Sequence, residues 1–415
     1  MNKKFWIIAA MFTALCAACN NEVDEIISQP VTDNDWITPD GKVIVQLGAQ
    51  SYDANASVTR TPLESLIDAE LGIFALNKNG ADWTTSEDPD YNTLLKNIKG
   101  TIPTLDNGEN TNASKIALWD TEASDESEGS VYYYPMNNKN LYSFYGYAPW
   151  QSTGVTITSN TANIVFNIDG SQDIIYASTA APTQTVLTSP DNNNTESIEG
   201  YQAKYIRKIK YHNEINNSKE STYPDLPYIP VLNFGHKLTQ LKFNIVAATD
   251  QCAEDIENAK LLSVKNINLV GVNTEATLDV IRGELTWKDA ATTLPMQFSN
   301  AELTNPTFSI EGESKVTGSI AGQNIGYMML QPGLTEYTLQ LTVIPPMPEG
   351  NVAQQPKEQT LTLSIKHIKQ AEEQIFEAGK SYTVNIALYA MQEVEVEATL
   401  TEWDATPEDI VLPVE

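Results

Sequence analysis

Residues 231–245 read VLNFGHKLTQLKFNI. Leu232 and Phe234 alternate, and Leu241, Phe243 and Ile245 alternate after them. Both runs have the side-chain period of an extended strand, in which successive residues point to opposite faces. The two sets differ in parity, so one unbroken strand would send them to opposite sides of its sheet. His236 sits at the crossing. The stretch offers two readings: a histidine placed for chemistry, or a strand that bends inside a β-sandwich.

The flanking chain favours the bent strand. Short β-rich runs recur between clusters of Asn, Asp, Gly, Ser and Thr. In the first half they are KVIVQLGA (42–49), LGIFALN (71–77), KIALW (115–119), SVYYYP (130–135), LYSFYGYAP (141–149), ANIVFNI (162–168) and DIIYAS (173–178). Residues 187–226 are polar and read as a long loop or linker. The second half continues through 261–271, 276–287, TFSI (307–310), 324–332, YTLQLTVIPP (337–346), 359–368, 381–390 and VEVEATLTEW (394–403). About seven runs and then about nine, near ten-residue spacing with turn residues between, is the pattern of antiparallel sandwiches. YTLQLTV sets Leu339, Leu341 and Val343 against Thr338, Gln340 and Thr342, which predicts one buried face. VEVEATL keeps Glu395 and Glu397 on a wet face and suits a sheet edge. The one candidate helix is TPLESLIDAEL (61–71).

Length and charge bound the function. The 415 residues suffice for two domains with full cores. The net charge is −29, and the arginines are Arg60, Arg207 and Arg282. Such a surface repels phosphate backbones, so nucleic acid is not an expected partner. It is also repelled by anionic lipid, so membrane attachment requires an anchor. The N-terminus supplies one. Lys3 and Lys4 precede FWIIAAMFTAL and then CAAC, the layout of a signal peptide too short to span a bilayer. Ala17 and Ala18 before Cys19 fit a lipoprotein box, in which residues 1–18 are removed and Cys19 is acylated. The following NNEVDE resembles the surface-export signal of lipoproteins in Gram-negative anaerobes. Beyond that box only Cys252 remains, so neither a disulfide framework nor a cysteine metal site is expected.

No catalytic constellation is present. The sequence has no GxSxG elbow, no GxGxxG, no P-loop and no HExxH. His212, His236 and His367 are far apart, with no acidic or cysteine partner at ligand spacing. DNDWITPDG (33–41) looks like a calcium loop, but Ile37 stands where a carboxylate is required. The tyrosines of 132–134 and 142–147 could stack sugars, although at strand spacing they serve first as core. The expectation is a non-enzyme without metal or cofactor.

The order of features resembles the fimbrillin family, the Mfa-like subunits of type V pili. The features are the lipobox, SVTRTP, LYSFYGYAPW, QDIIYAST, FGHKLTQLKF and a closing LTEW. The resemblance implies an all-β chain of two tandem transthyretin-like antiparallel β-sandwiches. It divides the chain into a lipoprotein signal peptide (1–18), a propeptide-like segment with a removable strand (19–60), two sandwiches (61–226 and 227–403) and a tail (404–415). In the family's F-x-H-x-L-x-x-L-x-F pattern His236 is a structural hydrogen-bonding residue. A bulge between Leu238 and Leu241 is then expected to return Leu232, Phe234, Leu238, Leu241 and Phe243 to one core. Gly235 is expected to tolerate a close backbone approach.

The resemblance also implies a mechanism. Fimbrillins are exported as lipidated precursors, and an arginine-specific protease removes the anchor and one strand. A strand of another subunit fills the groove by β-augmentation. Here cleavage falls between Arg60 and Thr61, the removable strand carries Val43, Val45 and Leu47, and the C-terminus offers two candidate donors, VEVEATLTEW (394–403) and the better one with a free end, which carries Ile410, Val411, Leu412 and Val414. Pro62 restricts the chain beside the cut. The implied partners are other fimbrial subunits, the protease, and the outer membrane through the lipid before processing. The implied location is the cell surface, first as an outer-membrane lipoprotein and then in an adhesive fimbria. The alternative is a permanently lipidated surface binding protein, such as an adhesin, a glycan-capturing protein, or a pilus anchor or tip subunit.

Overall fold

A computed structural model of the chain describes residues 37–38, 40–51, 66, 69–77, 93–102, 114–119, 130–136, 140–157, 162–179, 183–188, 194–199, 201–218, 226, 229–247, 263–289, 291–298, 323–344, 357–369, 372–388 and 398–402. In chain order the first strands are β1 (Gly48–Ser51), β2 (Leu71–Asn77), β3 (Thr93–Thr101), β4 (Ser114–Lys115), β5 (Ala117–Trp119), β6 (Tyr142–Ala148), β7 (Val155–Ile157), β8 (Ala162–Asn167), β9 (Ile175–Thr179), β10 (Thr183–Leu187) and β11 (Thr195–Glu199). Helix α1 (Ala203–Ser218) follows. Then come β12 (Val231–His236), β13 (Thr239–Ala247), β14 (Ser263–Asn273), β15 (Glu275–Asp279), β16 (Glu284–Trp287), β17 (Ala291–Pro295), β18 (Gln297–Phe298), β19 (Gln323–Leu330), β20 (Glu336–Ile344), β21 (Gln359–Lys369), β22 (Glu372–Gln374), β23 (Ser381–Leu388) and β24 (Ala398–Glu402).

Three apolar cores organise these strands. An eight-stranded sheet runs β4-β1-β12-β9-β6-β2-β3-β5. Both of its faces are covered, which is why β2 reads as the unbroken apolar run LGIFAL. Leu71, Ile73 and Ala75 enter a first core with Ala203, Tyr205, Ile206 and Ile209 of α1. Phe74 and Leu76 enter a second core on the other face. That core is closed by the sheet β16-β15-β8-β7, through Ile164, Phe166 and Leu278. The third core lies between the sheets β18-β19-β13-β23-β24 and β17-β14-β20-β21-β22. There Leu339, Leu341 and Val343 are buried as the alternation of YTLQLTV predicts.

The all-β class stands, with two refinements. Among the described strands pairing is antiparallel except for β1 with β12 and β13 with β23, which run parallel. The expected boundary at residue 227 is crossed: β12 belongs to the first sheet, and β15 pairs with β8. The polar stretch 187–226 is not a plain loop, since it ends the hairpin β10–β11 and contains α1. β24 closes one sheet as an edge strand. The expected strand at 307–310, the 61–65 part of the candidate helix, and the Glu395 and Glu397 face lie outside the described residues.

The stretch 231–245 is the hinge between cores. It is not one bulged strand. β12 ends at His236, and the chain resumes as β13 at Thr239 in a different sheet. Leu232 and Phe234 pack in the first core, Leu238 in the second, and Leu241 and Phe243 in the third. The parity change is thus a change of sheet at Lys237–Leu238, and the five residues serve three cores rather than one. The break is fastened on both sides: Lys237 N donates to Ile174 O (2.7 Å) and Gly379 N to Leu238 O (2.8 Å). Gly235 is not under close approach, because a Cβ there would meet nothing within 4 Å.

Candidate functional site

The segment from Ile37 to Ser51 forms the described N-terminal strand and its lead-in. Ile37 and Val43 bridge across a tight turn. Within it Gly41 N donates to Thr38 O (2.8 Å) and Lys42 N to Thr38 Oγ1 (3.0 Å). Gly41 adopts φ +82°, a left-handed conformation that glycine takes without a Cβ penalty. The described part of the calcium-like stretch 33–41, residues 37–38 and 40–41, belongs to a turn built by Thr38, Asp40 and Gly41.

Beyond the turn the chain extends. Val43, Val45, Leu47 and Ala49 all point into the first core and are at most 5% exposed. The segment is held along two edges. On one side Val45 N donates to Tyr132 O (2.8 Å), Tyr134 N to Val43 O (2.9 Å) and Ile116 N to Leu47 O (2.9 Å). On the other, Gly48 N donates to Pro230 O (2.9 Å) and Gly48–Ser51 runs parallel beside Val231–Phe234. A first strand lying parallel to a partner far along the chain is not tied to it by a hairpin. Its seat between β4 and β12 is accordingly a slot with two backbone rims and an apolar floor.

Magnitudes show what emptying the slot costs. The side chains of Val43, Val45 and Leu47 contribute together on the order of 5–9 kcal/mol of burial. A typical domain has a total stability of about 5–15 kcal/mol. The strand is therefore an integral part of the fold of this chain. The fit is not complete in polar terms. Gln46 Oε1, Tyr134 Oη and Tyr205 Oη are buried with no hydrogen-bond partner among the described residues. Burial pushes the Tyr134 phenol up, helped by the neighbouring Tyr201, Tyr142 and Tyr205. At the turn, Arg207 Nη2 of α1 donates to the Gly41 carbonyl.

The histidines are structural. His236 Nδ1 donates to Asp173 Oδ2, and the two side chains are 11% and 1% exposed. His212 is fully buried and accepts from Leu187 N (3.0 Å), fixing α1 to β10. His367 donates to Ile375 O (3.1 Å) and packs against Phe376 and Tyr382. Among the described residues no group of three His, Cys, Asp or Glu is placed to hold a metal ion. Half of the six tyrosines considered as a stacking platform are core: Tyr134, Tyr142 and Tyr147 are buried, Tyr132 and Tyr145 are half-buried, and Tyr133 is exposed with Lys42 Nζ 5.6 Å from its ring centroid.

Of the residues expected to act, Val43, Val45 and Leu47 are together in the slot. Cys19, Arg60, Thr61, Ile410, Val411, Leu412 and Val414 lie outside the described residues, as does Cys252. The involvement of Arg207 was not read from the sequence, because its acceptor is a backbone carbonyl 166 positions away.

No curated protein sequence matches the chain. Solved structures that it resembles include a candidate cell adhesion protein from Bacteroides uniformis, at 15% identity and TM-score 0.47, covering 88% of this chain and 100% of that one. Another is the C-terminally truncated tip fimbrial protein Mfa3 of Porphyromonas gingivalis, at 10% identity and TM-score 0.40, covering 87% and 100%. The fimbrial anchor protein Mfa2 of the same organism follows at 12% identity and TM-score 0.32, covering 88% and 98%. A family model described as fimbrillin-like matches residues 59–403, which is most of the sequence. The chain belongs to the fimbrillin-like family.

Proposed function

We propose that the protein is a cell-surface fimbrial subunit that assembles by exchanging its N-terminal strand. It is exported as an outer-membrane lipoprotein acylated at Cys19. An arginine-specific protease cuts between Arg60 and Thr61 and frees the segment carrying Val43, Val45 and Leu47. Ile410, Val411, Leu412 and Val414 from the tail of another subunit then take the slot, and repetition builds an adhesive fibre. The observation that carries this reading is the seat of residues 43–49: a buried alternating segment, bonded to residues 116 and 132–134 on one side and, from Gly48 on, to the parallel β12 on the other, to which no hairpin ties it.

The other arginines are poor substrates for the same protease, which needs an extended segment. Arg207 is inside α1. Arg282 is in a tight turn whose Ile281 and Arg282 amides both donate to Asp279 Oδ1 (2.9 and 3.1 Å). Brief treatment of the folded, unlipidated chain should give one cut, after Arg60, followed by polymers. A cut chain that stays monomeric at high concentration contradicts the proposal. It would favour the second reading, a fixed lipidated binding protein, which the burial of the strand's apolar face also suits.

A further inference from the structure

Arg207 is a half-buried guanidinium in a chain with 54 acidic residues and three arginines. Its neighbours on α1 find carboxylates: Lys208 pairs with Glu196 and Lys210 with Glu214. Arg207 does not, among the described residues. Its Nη2 donates to the neutral Gly41 carbonyl and lies 3.1 Å from the Met136 sulfur. A Cβ on Gly41 would stand in ordinary contact with that nitrogen, at 3.9 Å. Nearby Asp40 is engaged by Thr38 and Lys42.

Gly41 belongs to the segment that leaves when the chain is cut after Arg60. Its departure takes away the acceptor and leaves a half-buried cation facing the slot. A carboxylate on the incoming strand would replace a neutral acceptor with a charged one, which is the stronger kind of hydrogen bond. The tail, residues 404–415, reads DATPEDIVLPVE and carries acids with no base. Laying Ile410, Leu412 and Val414 on the positions of Val43, Val45 and Leu47 places Glu408 at the position of Gly41. The same alignment places Glu415 at the position of Gly48, whose cross-strand partner is Lys115.

We infer that Arg207 is a specificity residue for assembly: it pairs with Glu408 in the tail of a second copy of this chain and fixes the register of the donor strand. This rests on the strand-exchange reading above. The test uses the full chain with Cys19→Ser to remove the lipid, cut with an arginine-specific protease and followed by light scattering and electron microscopy. Arg207→Glu and Glu408→Lys chains should each polymerise about tenfold more slowly alone, because each meets a like charge, and the lysine adds no site for the arginine-specific protease. Mixed in equal amounts they should polymerise near the wild-type rate, since each tail then meets an opposite charge in the other chain's slot. That rescue also proves that both variants fold. Variants that polymerise normally alone, or a mixture as slow as its components, would overturn the pairing while leaving strand exchange intact. A cut wild-type chain that forms no polymer would overturn strand exchange and the pairing together.

Discussion

Gly72 and Gly235 look alike in sequence and differ in what surrounds them. A Cβ on Gly72 would lie 2.1 Å from the Tyr147 ring. That ring cannot retreat, because its hydroxyl donates to Asn97 Oδ1 (2.7 Å) and accepts from Gln151 N (3.2 Å). Gly72→Ala should therefore destabilise by about 1–3 kcal/mol or more, whereas Gly235→Ala should stay within about 0.5 kcal/mol. Urea unfolding of the two variants measures both, and equal effects would contradict the contrast. His236 makes a similar point. Its structural role was legible from the F-x-H-x-L pattern, but its partner Asp173, 63 positions away, was not. Asp173 is buried, and its Oδ1 has no partner among the described residues. Removing the imidazole should expose the cost of an unpaired buried carboxylate. His236→Ala should lose about 3 kcal/mol by urea unfolding, and Asp173→Asn should lose less. A His236→Ala chain as stable as wild type would contradict the pair's structural role.

Strands that obey one rule throughout were legible, and those that mix rules were not. LGIFALN matches β2 residue for residue, since a run covered on both faces needs no alternation. β3 escaped because its alternation breaks: its register against β2 shifts around Ile73–Leu76, and Asn97 has φ 54°. α1 escaped because polar residues hide a stripe of Ala203, Ile206, Ile209, His212 and Ile215 at helical spacing, all of them buried. The buried face of the N-terminal segment was legible as Val43, Val45 and Leu47, but its backbone partners come from residues 114–116, 132–134 and 230–234, which no local pattern connects. Leu47→Ala should lower the stability of the uncut chain by about 2–5 kcal/mol and have no effect on polymers of chains that begin at Thr61. Thermal unfolding of both forms decides; an unchanged precursor would mean that the strand is not part of its core. Deleting residues 404–415 should leave a folded monomer that cannot polymerise after cutting, and a truncated chain that still forms fibres rules out the tail as donor.

Three cores in series along one chain explain why a parity change, rather than a bulge, marks residues 231–245: each apolar set belongs to a different core. Tyrosines fill all of them. Desolvation raises the phenols of Tyr134, Tyr147, Tyr176, Tyr201, Tyr205 and Tyr337 above the ordinary value of 10.0. Above pH 10 the unfolded chain releases these protons and the folded chain holds them, so folding stability is complete below that pH and declines above it. Tyrosinate absorbance from these rings should appear together with unfolding in an alkaline titration, not before it. For a fimbrillin-like chain the decisive property is what happens to its first strand. It is settled by the mass and N-terminal sequence of the protein sheared from the cell surface. A chain that begins at Thr61 and carries no lipid is the predicted outcome, with residues 43–49 replaced in the slot. A chain that begins at acylated Cys19 would mean that the strand stays, and that the protein is a fixed surface lipoprotein rather than a link in a fibre.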